Sequence, residues 1–257
     1  MLSLFRALRA DFQKLKHTQI FWIHIVIPII GALFFLFCYN LFNKVETIEK
    51  HVLYFELLGM VFPLLIGIIC SMVVSQEEQA GQFQVLLGST KSRSISCLSK
   101  LLTLIFMGIF SLFLALGIVL FGLKLFLYVS NVPYLLYFQV FGWLIFSNIF
   151  IYILSFFASL KFGRGASIFL GIAGMLIAAL MITGLGDRCW MYLPWAWGVR
   201  FCDFATLNFM SSAMHKEIPY LLHNIQKASC IAGAYTLGIL MLQLLWFEFW
   251  EGRKSEE

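Results

Sequence analysis

The sequence predicts an all-α membrane protein with six transmembrane helices and an amphipathic interfacial helix in front of them. Two observations carry this reading. Of the 257 residues, 61% are apolar and 12% are charged, whereas a soluble domain has about 45–50% and 25%. The apolar residues also gather into six runs, each long enough for the roughly 20 residues a helix needs to cross the hydrocarbon core. Six crossings use up the length, leaving no room for a soluble catalytic domain of the usual ~100 residues. The chain therefore reads as no enzyme, and any nucleotide-driven chemistry must come from a partner.

The first element, residues 1–19, places Leu4, Phe5, Leu8, Phe12 and Leu15 at three- and four-residue spacing, with Arg6, Arg9, Gln13, Lys14 and Lys16 opposite. Such a basic amphipathic helix suits a position flat on an anionic inner leaflet; the alternative is a plain positively charged tail. The membrane domain follows over residues 20–257, with runs at 20–42, 53–75, 101–128, 134–160, 166–185 and 229–250. The first run lacks a small-x-small cleavage pattern and follows 19 polar-to-amphipathic residues, so it is expected to stay as an anchor.

Six spans put both termini on one side. That side holds Arg6, Arg9, Lys14, Lys16, Lys91, Arg93, Lys100, Lys161, Arg164, Arg253 and Lys254, against Lys44, Lys50, Arg188, Arg200, Lys216 and Lys227 on the other, with Lys124 near the outer end of the third span. The imbalance places the termini in the cytoplasm of a plasma membrane. It also accounts for the net charge of +5 as an orientation signal rather than a nucleic-acid footprint.

The loop after the second span, residues 76–93, reads QEEQAGQFQVLLGSTKSR. Glu77 and Glu78 suit the positive N-terminus of a short helix, Gly88 suits its end, and Leu86 with Leu87 leaves an apolar surface for a partner to cover. The bland alternative is a solvated connection. This stretch resembles a pattern in the membrane subunits of ABC-2 type transporters, E-x-x-x-G-x-x-x-x-L-L-x-x-x-x-S-R with a later Lys. It is met here by Glu77 or Glu78, Gly81, Leu86, Leu87, Ser92, Arg93 and Lys100. Thr90-Lys91 stands where that family commonly has a proline before the Ser-Arg pair. The resemblance implies an ABC-2 type permease fold in which loop two is a coupling helix seated in a groove of an ATPase subunit. It also implies an outer connection, here residues 186–228, that dips back into the membrane. No G-x-x-x-x-G-K-[ST] loop is present, so ATP and Mg belong to the partner ATPase, expected in two copies, and the chain itself needs no cofactor.

The outer segment carries Trp190, Tyr192, Trp195 and Trp197. These rings suit either an anchor at headgroup level or a contact surface for an amphipathic substrate. The run from Leu193 to Arg200, Leu-Pro-Trp-x-Trp-x-x-Arg, with the small size and lack of a large outer domain, resembles the E/G-type permeases of lantibiotic immunity transporters. That narrower resemblance implies export of an antimicrobial peptide, with a second related permease as hetero- or homodimer partner. The alternatives are an ABC-2 permease for another drug or lipid, and a motor-independent membrane sensor or scaffold.

Other chemistries find no support. The six cysteines show no C-x-x-C or Cys/His ligand spacing; Cys189 and Cys202 lie on the oxidising side, and the sequence leaves their pairing open. A paired-glutamate intramembrane protease needs Arg where Gln82 stands, and His24 is the lone histidine inside a run, where it reads as a helix-contact or pore-lining residue. The acids Glu56 and Glu248 sit near span ends, unlike the buried relay of an ion-coupled carrier.

Overall fold

A computed structural model describes residues 2–16, 18–41, 46–88, 92–213 and 219–253. Among the described residues the chain is helical, without strands: α1 (Leu2–Leu15), α2 (Gln19–Leu41), α3 (Thr47–Gln79), α4 (Gln84–Gly88), α5 (Arg93–Leu125), α6 (Tyr134–Phe162), α7 (Arg164–Ile182), α8 (Pro194–Ala213) and α9 (Pro219–Phe249). Two 3-10 turns, Gly184–Gly186 and Trp190–Tyr192, lie between α7 and α8. Lys44, Lys91, Lys216 and Lys254 of the charge count, and the Thr90-Lys91 pair, fall outside the described residues.

Six helices, α2, α3, α5, α6, α7 and α9, are long and apolar enough to cross a membrane, matching the six apolar runs. Several of them exceed their runs, and in α3 and α5 the surplus falls on the loop-two motif. α3 and α5 each have 33 residues, about 50 Å at 1.5 Å per residue, against a hydrocarbon core of about 30 Å. The surplus turns carry Glu77, Glu78, Arg93 and Lys100, so polar residues lengthen these two helices instead of ending them.

α3 packs against α6, α7 and α8, while α5 carries α1 and α2 on one flank and reaches α6 and α9 on the other. Small residues let the backbones approach, as membrane helix interfaces require. A Cβ on Gly67 would stand 2.5 Å from the Ser167 carbonyl oxygen, and Ser167 Oγ donates to Gly67 O at 2.8 Å. At the opposite end of α3, a Cβ on Gly59 would lie 2.9 Å from Val199 N.

The outer segment departs from the expectation for its aromatics. Pro194 opens α8, where its fixed φ and missing N–H suit a first helical position. Residues 197, 201 and 205 then form one buried stripe. Trp197 is 0% exposed; its Nε1 donates to Met191 O at 2.9 Å and its ring meets Phe150 edge-on at 5.5 Å. Trp190 is also buried and crosses Phe201 at 5.8 Å. Both rings are spent on internal packing. Trp195 is half-buried against Gly174, and Tyr192 is exposed. Cys189 and Cys202 are separate thiols, the first exposed and the second buried in α8.

Helix α1 also presents a different face. Phe5 and Phe12 are exposed, while Leu8 is half-buried and Asp11 and Leu15 are buried on the side packed against α5. An acid thus occupies the inward stripe where the apolar periodicity put phenylalanine.

Truncating Trp197→Ala is expected to cost about 3–5 kcal/mol, the range for deleting a buried aromatic. Tyr192→Phe, exposed, is expected to stay within about 0.5 kcal/mol. Apparent unfolding temperatures of the two variants in lipid or detergent check this; equal values would place Trp197 outside the core.

Candidate coupling site

The motif residues converge at one end of the bundle, together with α1 and the residues that follow α9. There α3 runs through Glu77 and Glu78 to Gln79, so the acid pair closes a long helix instead of opening a short one. The dipole argument therefore reverses. A helix C-terminus is negative and disfavours carboxylates, and each acid has a cation to offset it.

Glu77 is 5% exposed and Lys100, on α5, 2% exposed. Lys100 Nζ lies 2.7 Å from Glu77 Oε1 and 2.7 Å from Asp11 Oδ1 on α1. Lys14 Nζ reaches the same Glu77 oxygen at 3.3 Å, and Ser99 Oγ donates to Asp11 Oδ2 at 2.6 Å. Two ammonium groups and two carboxylates thus form a neutral cluster joining α1, α3 and α5. Buried charges are tolerated when paired and hydrogen-bonded in this way, and removing one member strands the others.

Glu78 pairs with Arg253, beyond the end of α9. The Arg253 guanidinium lies against the α6–α7 turn at Gly163, whose φ of +93° and whose missing Cβ, which would stand 2.6 Å from Arg253 Nη1, both require glycine. Two further helix ends cap one another. Arg93 Nη1 donates to the carbonyls of Glu248 at 3.3 Å and Trp250 at 3.0 Å, while the Glu248 carboxylate accepts from Ser94 N at 3.0 Å. A cation thus meets the C-terminus of α9 and an anion the N-terminus of α5, the favourable sense for both dipoles.

Between α3 and α4 the chain turns through three residues with positive φ: Gly81 at +124°, Gln82 at +49° and Phe83 at +67°. The turn is held by Gln82 N donating to Glu78 O at 2.8 Å and by the buried Phe83 ring against Trp250 at 5.1 Å. This folds Leu86 inward, 4% exposed, and turns Val85 outward, 46% exposed, with Leu87 half-buried. The apolar surface expected from Leu86 and Leu87 is therefore led by Val85, since Leu86 is spent on the core. Ser92 is the extended residue preceding α5.

Sequence reasoning missed Asp11, Arg253 and Glu248. Asp11 left a signal: it is the sole acid of residues 1–19, and Leu4, Leu8, Asp11 and Leu15 share one helical stripe. A second missed group lies at the other end, where the carboxyl groups of Glu56 of α3 and Asp203 of α8 stand beside one another. Arg200 beside them donates through Nε to Met181 O at 2.6 Å and through Nη2 to Thr183 O and Asp187 Oδ1, each at 2.9 Å. Burial, then the Glu56 charge, pushes the Asp203 carboxyl up to about 7.

Lys100→Ala is expected to destabilise the protein by about 3–5 kcal/mol, because Asp11 stays buried without its cation and Glu77 keeps only the more distant Lys14; an unfolding temperature equal to the parent's would show the cluster to be hydrated. The raised Asp203 carboxyl means that the folded state holds a proton that the unfolded chain gives up near pH 4. Its stabilisation is full at low pH and falls as pH rises through about 7. The unfolding temperature should accordingly drop between about pH 4 and about pH 7, and Asp203→Asn should narrow that drop; an identical drop in the variant would remove Asp203 from the account.

Residues 7–184 match the family described as ABC-2 family transporter protein, a stretch running from α1 to the first 3-10 turn and including the end where α3 and α5 meet α4. Among proteins of curated function, none matches. With well over half of its length matched and six helices able to cross a membrane, the chain belongs to the ABC-2 transporter family, as a membrane permease subunit whose membership implies an ABC ATPase as partner.

Proposed function

We propose that the chain is the permease of an ABC exporter driven by two ATPase subunits, paired with a second, related permease, and oriented with both termini in the cytoplasm. The observation that carries this is the ion-locked end of α3 and α5, which presents α4 with its exposed Val85. An ATPase surface gripping α4 moves Leu86 and Phe83, both seated in the core. Through the turn at Gly81 this displaces α3, and the Glu77–Lys100 pair obliges α5 and α1 to follow. Closure of the ATPase pair around ATP and Mg is thereby converted into a shift of spans, a rigid-body transition of the hinge-and-shear kind.

The cargo we propose is an amphipathic antimicrobial peptide of the lantibiotic type, so that the exporter protects its own cell. Its support is the resemblance of the Leu193 to Arg200 run. The burial of Trp190 and Trp197 favours a second reading, an exporter of another drug or lipid, since it leaves Tyr192 and Trp195 as the outer rings of that run with surface to offer.

Val85→Asp puts a charge on the exposed position of α4 without entering the core. It is expected to leave the unfolding temperature within about 0.5 kcal/mol of parent stability while abolishing the response of ATP hydrolysis to the permease in the purified complex. Full hydrolysis response in this variant would place the ATPase contact elsewhere. Peptide tolerance of cells carrying parent and variant then separates the cargo readings, because loss of tolerance with lost coupling belongs to peptide export alone.

A further inference from the structure

Beside the coupling end, α2, α3 and α7 enclose a groove of about 440 Å³, within the range of small-ligand sites. Three helix ends set its level: α2 opens at Gln19, α3 closes at Gln79 and α7 opens at Arg164, and all three residues line it. The groove therefore lies where these spans leave the bilayer. Its apolar part includes Ile20 of α2 and Ile168 of α7. One turn further along the same helices, Trp22 and Ile172 are exposed, so the flank beyond the groove faces hydrocarbon.

The polar part of the groove suits an anion. Arg164 is exposed and makes no ion pair or hydrogen bond among the described residues, whereas Lys14, Lys100 and Arg253 at this end are each paired with an acid. Arg164 also opens α7, whose first turn has no acid and whose N-cap, Gly163, has no side chain to satisfy the free amides, so guanidinium and helix dipole act together. Ser75, 6% exposed, lines the same groove, and its hydroxyl has no hydrogen-bond partner among the described residues. Ser71, one turn away, satisfies its own by donating to Ile68 O at 2.7 Å. A buried hydroxyl without a partner is costly, and a ligand oxygen in the groove relieves it. The amides of Gln19, Gln76 and Gln79 add further donors. No carboxylate lines the groove, so a headgroup phosphate finds donors there while the ammonium of a zwitterionic headgroup finds no counter-charge.

We propose that the groove between α2, α3 and α7 binds the phosphate of an anionic phospholipid from the leaflet at the coupling end, with Arg164 and Ser75 as donors and the acyl chains on the flank beyond Trp22 and Ile172. This binding is independent of any ATPase contact, so it is measured on the full chain in phosphatidylcholine nanodiscs. The probes are phosphatidylglycerol and phosphatidylcholine with the same diazirine-bearing acyl chain, and labelled peptides are located by mass spectrometry. Phosphatidylglycerol is expected to label the groove flank of α2, α3 and α7 about fivefold more than phosphatidylcholine, the scale of one basic side chain at an anionic surface. Arg164→Gln should bring the two probes level there. Ser75→Ala, which takes a donor from either phosphate, should lower labelling by both roughly two- to tenfold. Lys161→Gln removes an exposed cation at the same end but outside the groove and should leave the preference unchanged, as should an excess of soluble glycerol phosphate. Unfolding temperatures equal to the parent's show that the variants fold. Four results overturn the proposal: equal labelling of the parent by both probes, a preference lost as fully in Lys161→Gln as in Arg164→Gln, displacement by glycerol phosphate, or a flank that takes no label because a second copy of the chain covers it.

Discussion

Two carboxylates and two ammonium groups, Asp11, Glu77, Lys14 and Lys100, meet where α1, α3 and α5 come together. The position of the whole coupling end follows from that meeting. α3 ends in two acids at the negative pole of its own dipole, an arrangement that repels itself unless cations are held close. Lys100 supplies one cation from the neighbouring span, and Arg253 supplies another to Glu78 from the end of the chain. Because Glu77 and Lys100 are buried, neither can be released singly without leaving a charge stranded in a poorly solvated site. The same condition ties α1 to the bundle through Asp11, so an amphipathic helix that might have rested on lipid alone is bolted to the spans.

The motion proposed for the permease starts from this lock. The positive-φ turn at Gly81, Gln82 and Phe83 reverses the chain and seats Phe83 and Leu86 in the core, so α4 is mounted on the end of α3. Reciprocal capping of α5 and α9 by Glu248 and Arg93 adds a third span to the assembly. Close backbone approaches at Gly67 and Gly59 join α3 to α7 and α8 along its length. In the proposed mechanism a push on α4 meets a framework of packed helices and paired charges, stiffer than a loose loop.

The spans were legible because hydrocarbon thickness imposes a length of about 20 apolar residues, and each apolar run overlaps one helix over most of its length. Their ends were less so: α3 and α5 continue through polar turns, since intrahelical hydrogen bonds persist in water and the charges find partners in neighbouring helices. The convergence of Glu77 and Lys100 on one spot follows from the register between two helices, which spacing along the chain does not encode. Asp11 hid in a helix whose basic residues drew the eye, although its place on the Leu4, Leu8 and Leu15 stripe marked it as inward-facing. The outer tryptophans were misjudged for a related reason. Their composition fits a membrane interface, but only the four-residue spacing of Trp197, Phe201 and Ala205 after Pro194 reveals a buried stripe.

The account stands on α1 being held by the buried charges rather than by lipid. Hydrogen exchange along residues 4–15, in the parent protein and in Lys100→Met, measures this directly. The account requires slow exchange in the parent and a loss of protection confined to α1 in the variant, with the amides of the α3 and α5 spans still protected. Exchange along α1 that is already fast in the parent, or protection that persists without Lys100, would contradict it.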